Sequence, residues 1–196
     1  MSFNSQSNNK TLLQLPKFIV DSIYTSESQQ QNNQRLIPKG ISASAFERAW
    51  DEGFTGKDVI VAVVDTGIDG NVPDLKGKVI KSINLTGEPL SESHGTHVSG
   101  TIAANGWLIG GAYDSKLIDI KVIGKNGGSV DNIVKAIGLA TSNGASIINM
   151  SLGASGITSA EIQSLTNAIQ DAWNKGCICI AAAGNDGTSI CTPDAY

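Results

Sequence analysis

The chain is 196 residues long, 40% hydrophobic and 16% charged, with 22 glycines, 3 cysteines and a net charge of -4. That composition suits one globular domain of about 150 residues with a sizeable core, plus an appendage. A mildly acidic chain with scattered Lys and Arg offers no basic stripe to a phosphate backbone, and no apolar stretch is long enough to span a bilayer, so neither nucleic acid nor membrane is an expected partner.

The appendage comes first. Residues 1–34 open on MSFNSQSNNK, which lacks the charged-then-apolar order of a signal peptide; cytoplasmic residence is the expectation, with secretion by another route left open. One apolar island, LLQLPKFIV, is followed by SESQQQNNQ, which is too poor in apolar side chains to bury a core. Residues 1–34 therefore read as an extension and linker, and 35–196 as the folded domain.

From Arg35 onward strands and helices alternate. VIVAVVD at 59–65 is a continuous β-branched run of the kind buried on both faces, and it ends in a carboxylate. LIDIKVI at 117–123, ASIINMSL at 145–152 and CICIAAA at 177–183 repeat that character. VDNIVKAIGLATSNG puts Ile133, Val134, Ile137 and Ala140 or Thr141 on one helical face and stops at Gly144. TSAEIQSLTNAIQDAWNKG carries a capping box in Thr158 and Glu161, an apolar stripe of Ile162, Leu165, Ile169 and Trp173, and a terminating Gly176. Cys177 and Cys179 alternate within the last strand and read as buried; with Cys191 they are odd in number and lack metal-site spacing.

This order predicts an α/β fold with an open, mostly parallel, doubly wound sheet. Ligands in such sheets bind beyond the carboxyl ends of the strands. Asp65, Ser151 and Asn185 each fall at or just past such an end, so three polar residues far apart in sequence can converge there.

The two histidines, His94 and His97, both lie in SHGTHVSGT, a stretch suited to a buried helix. A carboxylate held against one imidazole nitrogen fixes the tautomer and leaves the other nitrogen to take a proton from a nucleophile. A zinc reading of the H-x-x-H spacing is weaker, because metalloprotease helices space their ligands as H-E-x-x-H and no further histidine exists.

VVDTGIDGNVPDL, SHGTHVSGTIAAN, IINMSLG and AAAGNDG, in that order, resemble the aspartate, histidine, substrate-strand and oxyanion motifs of the subtilisin-like serine proteases, the subtilases. RLIPKGI and AFERAWDEGFTGKDV resemble the start of their catalytic domain, so the likeness covers about residues 35–196. It implies a serine-type endopeptidase that needs no cofactor for its chemistry. Asp65 would be the orienting acid, His94 the general base, His97 a structural neighbour, and Asn185 the side-chain donor of the oxyanion hole. Ser151, Leu152 and Gly153 would pair with an extended polypeptide substrate on one side, and Gly127, Gly128 and Ser129 on the other. Ala182, Ala183 and Gly184 would line a wall of the specificity pocket. Asp74 resembles a ligand of the family's calcium site, but NGWLIGGAYDSKL is shorter than the usual loop and has Tyr113 where a proline is common, so a turn cap is the competing reading.

GTSICTP at 187–193 imitates the G-T-S-M-A-x-P segment that carries the family's nucleophile. Ser189 stands four residues beyond Asn185, whereas the family places its serine well downstream at the start of a long buried helix. Ser189 is therefore read as a decoy, and 35–196 as a subtilisin-like catalytic domain truncated before the usual nucleophile segment. Three readings follow: a divided protease completed by a second chain, a pseudoenzyme that binds extended peptides without cutting, and a compact enzyme using Ser189. For residues 1–34 a disordered tail is preferred over an inhibitory segment, FIVDSIY or RLIP, lying across the cleft.

Overall fold

The computed structural model describes residues 13–14, 35–90 and 93–185. Ser189, Cys191 and FIVDSIY lie outside the described residues. In chain order the elements are β1 (Leu13–Gln14), α1 (Lys39–Ala43), α2 (Phe46–Asp51), β2 (Ile60–Asp65), a short 3-10 turn (Pro73–Leu75), β3 (Val79–Asn84), α3 (His94–Ala103), β4 (Lys116–Lys121), β5 (Ile123–Gly124), β6 (Gly127–Gly128), α4 (Val130–Ser142), β7 (Ile147–Met150), β8 (Gly153–Ala154), α5 (Ser159–Asn174) and β9 (Ile178–Ala181).

Five strands form the main sheet in the order β3-β4-β2-β7-β9, with all neighbours parallel. Parallel neighbours need crossovers, and the helices that make them cover both faces. The alternate residues of β2 divide accordingly. Val61 and Val63 pack with Leu117, Val98 and Ala103 on the α3 side. Ala62 and Val64 pack with Ile118, Ile120, Ile148 and the α4 residues Ile133, Ala136, Ile137 and Ala140 on the other. This is the doubly wound α/β architecture expected from the unbroken apolar run.

Three elements differ from the sequence expectation. The 117–123 run breaks: β4 ends at Lys121, and Ile123–Gly124 turns away to pair antiparallel with Gly127–Gly128. β3, VIKSIN, was not anticipated, because it is an edge strand with a register shift between Val79 and Lys81 and with Ile80 turned to solvent. The apolar stripe of α5 is split. Leu165 packs on the core with Ala168 and Ala172, whereas Ile162, Ile169 and Trp173 are exposed. The helix rests on α4 and β9 by one flank, so only the Leu165 side of the stripe is covered. Its capping box is present: Thr158 Oγ1 accepts from the Glu161 N–H at 3.3 Å, and Glu161 Oε2 accepts from the Thr158 N–H at 2.8 Å.

Cys177 is buried and Cys179 half-buried, both as free thiols. Burial raises the pKa of each, which makes them poor nucleophiles. RLIP does not cross a cleft. Leu36 donates its N–H to Trp107 O at 2.7 Å and accepts from Ile109 N–H at 3.1 Å, which fixes it to the 105–109 loop. Among the described residues no helix is long and apolar enough to cross a membrane.

Candidate active site

Asp65 is the last residue of β2 and is fully buried. Its Oδ1 accepts from the Thr66 N–H at 2.6 Å and from His94 Nδ1 at 2.7 Å. The Thr66 side chain then reaches across to α3, where its Oγ1 accepts from the Gly95 N–H at 3.0 Å. One turn of loop further, the Asp69 N–H donates to Thr96 Oγ1 at 2.9 Å. Two threonines thus lock the first turn of α3 onto the end of β2, and His94 comes to rest on the carboxylate as a consequence.

The approach is close enough to demand a glycine. A Cβ at Gly95 would lie 2.5 Å from Gly67 O and 3.1 Å from Asp65 Cβ. With Nδ1 committed to the Asp65 carboxylate, the imidazole is held in one tautomer and Nε2 is the nitrogen that can accept a proton. His97, exposed and three residues further along the helix, does not share this position.

The remaining expected residues gather at the same edge of the sheet, because β2, β7 and β9 are adjacent and parallel. Ser151 follows β7, and its Oγ accepts from Asn149 Nδ2 at 2.9 Å. The Leu152 side chain is in the core, so only its backbone can meet a peptide. Gly153 opens β8, whose register with β1 is Gln14 opposite Gly153 and Leu13 opposite Ala154. β1 also runs beside Gly127–Gly128. Gly127 has a φ of 87°, a left-handed conformation that favours glycine. The Ser129 hydroxyl caps α4, accepting from the Asn132 N–H at 3.3 Å. Past β9, Ala182 donates its N–H to Met150 O at 3.2 Å, and Ala182, Ala183, Gly184 and Asn185 are exposed.

Two supporting residues escaped the sequence reading. Glu88 braces the β5–β6 ribbon by accepting from the Lys125 N–H at 2.8 Å. Lys121 is 3% exposed and donates from Nζ to Thr66 O at 2.9 Å and Ile123 O at 2.8 Å, tying the loop that follows Asp65 to the ribbon. The run LIDIKVI shows Lys121 as a charge among apolar residues, a pattern that an exposed strand face would give as well.

Asp74 is engaged in a turn. Its Oδ1 accepts from the Leu108 N–H at 2.9 Å and its backbone carbonyl from the Asn105 N–H at 2.9 Å. Calcium takes about six to eight oxygen ligands. The neighbours that meet Asp74 here are N–H donors. Asp74 thus acts as a turn cap in this structure, beside the buried Asn105 Oδ1, which has no hydrogen-bond partner among the described residues.

The comparisons with known proteins agree with this geometry. The chain is 34% identical over 195 residues to a thermophilic serine proteinase of Bacillus sp. (strain AK1), covering 93% of this chain and 46% of that protein. It is 36% identical over 164 residues to the major intracellular serine protease of Bacillus subtilis (strain 168), covering 77% and 50%. With subtilisin Savinase of Lederbergia lenta it shares 38% identity over 168 residues, covering 82% and 60%. The chain spans about half the length of the first two relatives. Residues 56–196 match the subtilase family, a span that takes in the Asp65–His94 pair and all three strand ends around it. With the fold, the order of motifs and the relatives in accord, the chain belongs to the subtilase family.

Proposed function

We propose that this chain forms part of a serine-type endopeptidase that hydrolyses peptide bonds in proteins, with its nucleophilic serine supplied by a segment other than that of Ser189. The observation that carries the reading is the buried 2.7 Å Asp65–His94 contact at the carboxyl end of a parallel sheet. A polypeptide substrate lies extended between Gly127–Gly128 and Ser151–Gly153, held by main-chain hydrogen bonds. His94 takes the serine proton through Nε2 as the hydroxyl attacks the carbonyl carbon, and Asp65 stabilises the imidazolium. Asn185 donates to the oxyanion of the tetrahedral intermediate, a contact worth about 3–4 kcal/mol in subtilisins. His94 then protonates the leaving amine, and water hydrolyses the acyl-enzyme by the same route in reverse. Ala182, Ala183 and Gly184 form a wall for the side chain preceding the cut. No cofactor takes part.

A second chain completing the fold has uncovered surface to meet: Ile162, Ile169 and Trp173 on α5, and Ile178 and Ile180 on β9. A fluorophosphonate probe, with any adduct located by mass spectrometry, tests the assignment. The 196-residue protein alone is expected to give no adduct on Ser189. A His94-dependent adduct there would make the chain a complete hydrolase and overturn the assignment of the nucleophile elsewhere.

One observation favours the second reading, a subtilase relative that binds extended peptides without cutting them. β1 already pairs antiparallel with Gly153–Ala154 beside Gly127–Gly128, as an extended peptide would. In this reading β1 is an occupant that an incoming peptide must displace. Placing proline at both Leu13 and Gln14 removes two strand N–H donors, and is expected to tighten binding of a fluorescent peptide several-fold in anisotropy titrations. An unchanged Kd would separate β1 from the peptide site.

A further inference from the structure

A second layer of buried charge lies behind the Asp65–His94 pair. In a strand alternate residues share a face, so Asp119 and Lys121 lie with Leu117 on the face of β4 that packs toward α3. The register sets Lys121 beside Asp65 and Asp119 beside Val63, one strand across and one step back from the carboxylate. Asp119 is 7% exposed, Lys121 3% and Asp65 0%. Asp119 Oδ1 and Asp65 Oδ2 are both buried without a hydrogen-bond partner among the described residues. The Lys121 ammonium gives its hydrogen bonds to the carbonyls of Thr66 and Ile123. Two buried carboxylates and one buried cation therefore share one face of two adjacent strands.

The groups that act on Asp119 come from every side. Burial pushes its carboxyl up to about 6, against the lowering effects of the Ser82 hydroxyl on β3, the Ile68 N–H of the loop after β2, and the Lys121 charge on its own strand; the Asp65 charge on β2 adds to the rise. Nothing in the catalytic scheme uses this group.

We propose that Asp119 is a positioning residue for the Asp65–His94 pair: when ionised, its charge, buried one strand across and one step behind Asp65, raises the proton affinity of the His94 imidazole. An anion stabilises the imidazolium, and by reciprocity a proton on His94 makes Asp119 more acidic. Below about pH 6 Asp119 is neutral and the support is withdrawn. The inference rests on His94 being the base, but its readout does not need hydrolysis, so the two can fail separately.

The test is an NMR titration of the His94 imidazole nitrogens in the full chain and in Asp119→Asn. The variant is expected to lower the His94 midpoint by about 0.5 pH unit or more. Superimposable His94 curves in two folded proteins would overturn the proposal. If Asp119→Asn does not fold, the unaltered protein still decides. An Asp119 carboxyl carbon titrating near the ordinary carboxylate value, with His94 following a single proton curve, overturns it; an Asp119 midpoint near 6 mirrored in the His94 curve upholds it.

A purely structural Asp119 would leave His94 unmoved and show only in stability. Its folded-state value lies above the unfolded one, so its contribution is fully present at low pH and is lost as pH rises from about 4 through about 6. Urea unfolding of Asp119→Asn is accordingly expected to show its largest advantage over the parent above pH 6. A disadvantage there would mark the charge as structurally required and count against the proposal.

Discussion

His94→Ala, in an assembly that carries the nucleophilic serine, is expected to lower kcat by roughly five to six orders of magnitude while KM moves less than about threefold. The base acts only as the serine attacks, so its loss removes transition-state stabilisation and leaves ground-state peptide binding alone. In the proposed scheme binding falls to the Gly127–Gly128 and Ser151–Gly153 backbones, which His94→Ala does not touch. Asp65→Asn should cost less, about four orders of magnitude, because an amide can still hold the ring but favours the wrong tautomer. Steady-state hydrolysis of a chromogenic peptide, normalised to folded protein, reads both. A loss below about a hundredfold for His94→Ala would remove this histidine from the chemistry.

Gly95→Ala is expected to destabilise the fold by about 2–3 kcal/mol, and Gly100→Ala, in the same helix, to stabilise it by up to about 1 kcal/mol. The two differ in what an added methyl group meets. At Gly95 the nearest atoms are Gly67 O at 2.5 Å and Asp65 Cβ at 3.1 Å, whereas nothing outside the helix's own backbone lies within 4 Å of a Cβ at Gly100. A backbone carbonyl cannot swing aside as a side chain can, so α3 itself must move, and the Thr66–Gly95 bond and the His94–Asp65 contact move with it. Urea unfolding of the two variants gives the comparison directly. Equal stabilities would mean that α3 does not sit against β2 as described.

The sheet and the Asp65–His94 pair were legible because each rests on a local pattern. An apolar run ending in a carboxylate has few other meanings, and the glycine in HGTH is required by the contact it makes. The supporting residues were harder to read. Asp119 and Lys121 stand out only once β4 is known to be covered on both faces; from the run alone, one charged residue at each alternate position also suits an exposed strand face. β3 hides for the opposite reason, since an edge strand with exposed Ile80 and Lys81 carries no continuous apolar signal. The stripe on α5 was correctly seen as apolar but not as half uncovered, because periodicity reports which residues share a face and not what lies against it. Ser129, expected beside substrate, spends its hydroxyl on a helix cap that the sequence S-V-D-N could have suggested.

The strand order has a consequence for the chain as it is made. β2 sits at the centre of the sheet, yet its neighbours come late: Val61 pairs with Leu117 on one side and with Ile147 on the other. At about 5–20 residues per second, the roughly 86 residues between Val61 and Ile147 take about 4–17 s to synthesise. For the first roughly 56 of those residues β2 waits without either partner, and for the rest without β7. Newborn chains stalled between residues 65 and 117, with neither neighbour of β2 made, are therefore the ones a chaperone should hold longest.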